Sequence, residues 1–154
     1  TIIKNHSLDT LNKDGHAIIK EETSKIFLKL LRAVVLETDY TGPRVKINGY
    51  EIGGKTGTSN LIDKNGQYQS GVNLASFIAV FPISKPKYVV LAIVEHPKKI
   101  LEENNNVTGA AVAAPLVKKV ITKMIKILSI PQINSSEILN ADTRIEYNNI
   151  NATF

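Results

Sequence analysis

The chain has 154 residues, 43% of them hydrophobic, a net charge of +5 and no cysteine. That length suits one domain, and that hydrophobic fraction can build a core, which excludes a disordered, charge-rich chain. The missing cysteine excludes disulfides, thiol catalysis and cysteine-based metal sites. No apolar run approaches the ~20 residues of a membrane span, so any membrane anchor is expected outside this chain. The basic residues do not interleave with aromatics, and Lys119, Lys123 and Lys126 share one face of a late helix. A solvated face explains them, and no nucleic-acid partner is expected.

In chain order, residues 1–19 read as an irregular lead-in with a turn signal at Asn12-Lys13-Asp14-Gly15. A helix is predicted over Glu21–Glu37, with Ile26, Phe27, Leu30, Leu31 and Val34 as its apolar stripe. Thr38–Asn48 reads as a connector turning at Gly42-Pro43. Tyr50–Thr56 reads as extended, and Leu61–Gly71 as a polar loop around Asn65-Gly66. Two strands follow, Leu74–Phe81 and Tyr88–Glu95, joined through Pro82, Ser84, Lys85 and Pro86. His96–Asn106 is a polar loop. A second helix is predicted from an N-cap at Thr108 to Leu128, burying Val117, Val120, Ile121, Met124 and Leu128, with Pro115 in its first turns. Residues 131–154 are Asn/Ser-rich and aperiodic, a loose tail. Helix, three strands, helix implies an α+β architecture with a small antiparallel sheet.

The stretch Gly53-Gly54-Lys55-Thr56-Gly57-Thr58-Ser59 is the most informative. Gly49–Thr56 fits the letters of a phosphate-binding loop, but that mechanism needs a helix starting at Lys-Thr. Gly57, Thr58, Ser59 and Asn60 make a poor helix start, and Glu51 would repel phosphate. A second reading is a glycine-rich strand end without chemistry. A third is the Lys-Thr-Gly element of serine acyltransferases that recognise penicillin.

Context supports the third. Tyr50-Glu51-Ile52-Gly53-Gly54-Lys55-Thr56-Gly57-Thr58-Ser59 resembles that family's Lys-Thr-Gly strand. Leu74–Pro82 resembles its next strand, Lys87–Pro97 its last, and Gly109–Val117 the start of its C-terminal helix. The match runs in order from about Ile18 to Ile130. It most resembles the C-terminal part of the class B penicillin-binding proteins, the D,D-transpeptidases of septum and side-wall synthesis, with residues 20–130 as part of the transpeptidase domain.

The resemblance implies a site. Lys55 would attract the carboxylate of a peptidoglycan stem peptide or a β-lactam, and Thr56 and Thr58 would offer hydroxyl donors. The charge of Lys55 would also help a second, catalytic lysine act as a base. Gly57 would let the ligand backbone lie against the strand. The backbone N–H of Thr58 would form half of an oxyanion hole. No cofactor and no metal is implied. His6, His16 and His96 lack ligand spacing.

The nucleophile motif is missing. Ser84-x-x-Lys87 has the letters but contains Pro86, so the two side chains cannot share a helix face. Tyr147-Asn148-Asn149 could pass for the family's second motif but follows Lys-Thr-Gly instead of preceding it. Tyr40-Thr41-Gly42-Pro43 and Ala79 depart from the family pattern without touching the proposed chemistry. A chain that starts at Thr1 is therefore expected to lack the upstream part of its domain, and to be inactive alone. The parent would sit at the periplasmic face of a bacterial inner membrane and meet cell-division or elongation proteins. A β-lactam-sensing or scaffold domain of the same fold is the alternative. The resemblance also implies that the last strand lies inside a larger sheet, so Tyr88–Val94 would be an exposed edge on which the chain pairs as a homodimer.

Overall fold

The computed structural model describes residues 17–98 and 107–133. Helix α1 spans Glu21–Glu37, with Glu21 and Glu22 in the first turn, where carboxylates complement the helix dipole. Glu21 also pairs with Lys25 at 2.7 Å, an exposed contact that adds little. The helix is present where its periodicity predicts it, but its buried face is rotated from the expected one. Leu31, Arg32 and Val35 are buried, while Ile26, Phe27 and Leu30 are 57%, 56% and 39% exposed. Leu31 is buried as expected, and beside it so is Arg32. Its guanidinium donates to the Ile52 carbonyl at 2.9 Å, so a charged residue faces inward and ties the helix to the chain entering the sheet.

The connector after α1 is more ordered than a turn. Gly42–Val45 forms a short helix, α2, with Pro43 in its first turn, where a missing N–H costs least. Gly42 lies against α1 so closely that an added Cβ would sit 2.5 Å from the Val35 carbonyl oxygen. Val45 is thereby buried completely.

Three strands follow: β1 (Gly53–Ile62), β2 (Tyr68–Phe81) and β3 (Tyr88–Glu95). Among the described residues they make one antiparallel sheet in the order β1-β2-β3. The expected polar loop over Leu61–Gly71 is instead the end of a long hairpin. Its turn is closed by Asp63, whose Oδ1 accepts from the N–H groups of Asn65 and Gln67 at 2.8 and 2.9 Å. Gly66 takes the positive φ of 80° that this turn needs. Ile62 and Tyr68 stay exposed there, so the hairpin tip carries no amphipathic pattern that would announce strands.

The last helix begins as expected at Thr108, whose Oγ1 accepts from the Ala111 N–H at 3.2 Å. Its first turn, Gly109–Ala113, is π-helical, and α3 proper runs Ala114–Ile127. Pro115 has no N–H for the Ala111 carbonyl, and the wide turn ends beside it. Val117 and Ile121 are fully buried, but Val120 and Leu128 are 39% and 49% exposed, so the inner stripe is narrower than expected. The chain remains attached beyond α3, since the Ile133 N–H donates to the Gly49 carbonyl at 3.0 Å.

The core lies between one sheet face and this last helix. Phe77, Ala79 and Phe81 of β2 and Val90 and Ala92 of β3 meet Ala113, Ala114, Val117 and Ile121, with Val35, Val45 and Ile52 closing one end. Among the described residues the other face is largely uncovered. Ile78, Val89, Leu91 and Ile93 are 38–64% exposed there, and α1 comes against that face at Gly53, where an added Cβ would lie 3.0 Å from the Leu31 backbone. The α+β class, the three-stranded sheet and the two packed helices are as expected. The lead-in over residues 1–16 and the tail over 134–154 lie outside the described residues.

Adjacent residues of β2 should report this asymmetry. Phe77→Ala should cost about 3–5 kcal/mol in urea denaturation, as for a buried phenylalanine. Ile78→Ala, on the open face, should cost about 1 kcal/mol or less. Equal losses would contradict the one-sided core.

Candidate functional site

Strand alternation sorts the Lys-Thr-Gly segment. Gly57 pairs with Ser76, Thr56 with Phe77 and Lys55 with Ile78. Directly opposite residues share a face, so Lys55 and Gly57 belong to the open face with Ser76 and Ile78. Thr56 and Thr58 belong to the core-side face, at the outer edge of β1. The four candidate residues Lys55, Thr56, Gly57 and Thr58 therefore do not share one face. They occupy two faces, because successive side chains of a strand point opposite ways.

They converge at the strand's edge. Lys55 Nζ bends over it and donates to the Thr56 carbonyl at 3.1 Å and to Thr56 Oγ1 at 3.3 Å. The Thr56 carbonyl therefore points out of the sheet. Peptide groups alternate along a strand with period two, so the Thr58 N–H lies on the same outer edge. Among the described residues no strand pairs with that edge. An ammonium, a hydroxyl and a backbone donor that no described strand pairs with thus line one rim, an arrangement suited to a carboxylate and a developing oxyanion.

The glycines answer to separate neighbours. A Cβ on Gly54 would meet the Phe77 ring at 2.6 Å and the Ile78 carbonyl oxygen at 2.5 Å. A Cβ on Gly57 would meet only Ser76, with Oγ at 2.5 Å. Ser76 Oγ itself donates weakly to the Gly57 carbonyl at 3.4 Å.

Several contributors escaped sequence reasoning. The Gly109 N–H donates to Thr58 Oγ1 at 3.0 Å, fixing the first turn of the last helix to β1 across 51 residues of chain. Ser76 backs Gly57 from the next strand. Glu51 is buried, with Oε2 accepting from the Ser84 N–H at 3.0 Å and its carbonyl from the Ile83 N–H at 3.0 Å. The signals for Glu51 and Arg32 were charged residues inside apolar stretches, which must find partners when buried. Ser76 and Gly109 fall in the stretches Leu74–Pro82 and Gly109–Val117 that carry the family resemblance, but nothing local announces their contacts with β1.

The competing readings meet the structure as follows. Lys55 and Thr56 lie inside β1 and no helix begins there, which removes the phosphate-loop geometry. Ser84 and Lys87 lie in the β2–β3 connection, outside any helix. Glu95 and His96 are exposed at the end of β3. His6, His16 and Tyr147–Asn149 lie outside the described residues.

An antiparallel sheet with a helix against one face and a lysine-bearing rim on its first strand is the kind of scaffold used by penicillin-recognising acyltransferases. Comparison with known proteins agrees. Residues 3–122 match the penicillin binding protein transpeptidase domain, and the chain belongs to that family. It corresponds to the C-terminal part of such a domain in the class B proteins. It is 34% identical over 142 residues to a peptidoglycan D,D-transpeptidase FtsI homolog of Mesostigma viride, covering 84% of this chain and 23% of that protein. It is 36% identical over 121 residues to the stage V sporulation protein D of Bacillus subtilis, covering 78% of this chain and 18% of that protein. Among solved structures, penicillin binding protein 3 of Mycobacterium tuberculosis complexed with ampicillin matches with a TM-score of 0.62 at 25% identity, covering 76% of this chain and 26% of that one. The transpeptidase domain of an FtsI4 D,D-transpeptidase from Legionella pneumophila matches with a TM-score of 0.58 at 30% identity, over 78% and 40% of the two chains. The chain spans less than a quarter of the two curated relatives' length.

The two glycines should respond differently to substitution. Gly54→Ala meets a core ring and backbone and should cost about 1–3 kcal/mol, the range for overpacking. Gly57→Ala meets a side chain that can rotate, so Ser76→Ala should largely relieve its cost. Thermal unfolding of the single and double variants checks this; an unrelieved Gly57→Ala would place the obstruction elsewhere.

Proposed function

We propose that this chain supplies the carboxylate-binding and oxyanion-stabilising strand of a serine-type peptidoglycan D,D-transpeptidase. The observation that carries the reading is the rim of β1, where Lys55 Nζ reaches the Thr56 carbonyl oxygen and Oγ1 and strand alternation turns the Thr58 N–H to the same edge. In this reading a stem peptide ending in D-Ala-D-Ala, or a β-lactam, lies along β1 over Gly57. Its carboxylate is held by Lys55 and the threonine hydroxyls. A serine from the upstream part of the domain attacks the penultimate D-Ala carbonyl, the terminal D-Ala leaves with a proton, and an amine of a second stem peptide then takes the acyl group. The Thr58 N–H faces the oxygen that gains charge. It needs no reorganisation, because the strand already holds it.

Residues 20–130 form the C-terminal part of the transpeptidase domain in this reading, between a lead-in over 1–19 and a tail over 131–154. No described helix is long and apolar enough to cross a membrane. The parent would be held at the outer face of a bacterial inner membrane by sequence outside this chain. Relatives named as a peptidoglycan D,D-transpeptidase and a stage V sporulation protein support a place in cell-wall synthesis, where cell-division or elongation proteins would be its partners. Without the upstream serine motif the chain alone would be inactive.

In the full-length parent, Lys55→Ala and Thr56→Val should each slow acylation by penicillin about 10²–10³-fold, the usual loss for one preorganised contact. Unchanged kinetics in folded variants would leave the Lys-Thr-Gly segment a structural feature only.

The open face and the free edge of β3 bear on assembly. Val89, Leu91 and Ile93 are 64%, 56% and 53% exposed on that strand. The upstream part of the domain would cover them in the parent. In its absence two copies would pair β3 edge to edge about a two-fold axis. Light scattering over a dilution series should show a dimer that Ile93→Lys disrupts. A monomer at micromolar concentration, with Ile93→Lys no more soluble, would contradict this.

A further inference from the structure

The contact between the last helix and β1 lies against the proposed site from the side opposite Lys55. Gly109 opens the π-helical turn and is buried. A Cβ there would collide with the Ser76 carbonyl oxygen and would lie 2.6 Å from the Gly57 carbonyl oxygen and 3.2 Å from the Gly57 nitrogen. Only glycine lets the turn press onto the backbone of the Gly57–Ser76 pair. Pressed there, its N–H reaches Thr58 Oγ1 at 3.0 Å. The turn is itself braced by Thr108, which caps Ala111.

We propose that Gly109 is a positioning residue that acts through the Thr58 hydroxyl on the ligand at the β1 rim. A hydroxyl has one proton to give and lone pairs to receive. With Gly109 donating to it, Thr58 Oγ1 is an acceptor on its inner side. Its own proton is then free to point outward, where Thr58 is exposed. Hydrogen bonds in series polarise one another, so the N–H of Gly109 makes the Thr58 hydroxyl a better donor to an anionic group. The last helix therefore contributes to the site without touching ligand. This inference rests on the transpeptidase reading for its consequence, while the Gly109–Thr58 contact can be tested apart from it.

Two measurements separate the cases. In the full-length transpeptidase, Gly109→Ala should slow acylation by benzylpenicillin about tenfold, the size of one hydrogen bond. It should slow acylation by the methyl ester, which lacks the carboxylate, about threefold or less. In a Thr58→Val background Gly109→Ala should add about twofold or less, because the partner is already gone. Equal losses on acid and ester, or an undiminished loss in the Thr58→Val background, would overturn the proposal by making Gly109 a packing residue only. In this chain itself, amide exchange at Gly109 should speed about tenfold with Thr58→Val and stay unchanged with Thr58→Ser, which keeps the acceptor. Unchanged protection in Thr58→Val would overturn the proposal whether or not Gly109→Ala folds. If the wild-type parent does not acylate at all, the transpeptidase reading fails while the exchange experiment still decides the contact.

Discussion

The pairing of β1 with β2, Gly57 opposite Ser76 and Thr56 opposite Phe77, is the constraint on which the site depends. A slip of one residue would turn Lys55 into the core and Thr56 onto the open face. Phe77 holds the register because its ring fills the space that Gly54 leaves beneath it. Ala75 and Ala79, two residues either side, are completely buried on the same face. The glycines of the segment are therefore parts of a packing arrangement, and the chemistry at the rim follows from it. Lys55 bends over an edge that no described strand pairs with.

The helices make a second division of labour. The last helix covers one face of the sheet with small residues, Ala110, Ala113 and Ala114, which let it sit close. Gly109 carries that closeness to its limit at the Lys-Thr-Gly strand. Helix α1 does something different. It enters from the side with Arg32 turned inward onto the Ile52 carbonyl, and leaves Ile26, Phe27 and Leu30 outside. Together with Ile78, Val89, Leu91 and Ile93 these residues form apolar surface that the described residues do not bury.

Much of this was legible in sequence. The long helices and the β3 strand have clear periodicity, and the Lys-Thr-Gly segment is recognisable from its neighbours. What escaped has physical reasons. The stripe assigned to α1 followed hydrophobicity alone, which favours Ile26, Phe27 and Leu30. Arg32 is buried beside Leu31 because it finds the Ile52 carbonyl 20 positions on, which hydrophobicity alone does not reveal. The β1–β2 hairpin reads as loop because its tip is polar and Asp63 closes it through its side chain. The division of the site between two faces follows from strand period two once β1 is known to run through Lys55–Ile62. The Gly109–Thr58 contact joins residues 51 positions apart and no local pattern announces it.

The central proposal is that this chain supplies the carboxylate-binding and oxyanion-stabilising strand of an acylation site, and that the attacking serine comes from the upstream part of the domain. The most direct measurement mixes the purified chain with the separately produced upstream part of its domain and follows covalent labelling by a fluorescent penicillin. The account predicts no label on either part alone and stoichiometric label on the upstream part once they combine, abolished by Lys55→Ala in this chain. Stoichiometric labelling of the chain by itself, or labelling of the pair that ignores Lys55→Ala, would contradict it.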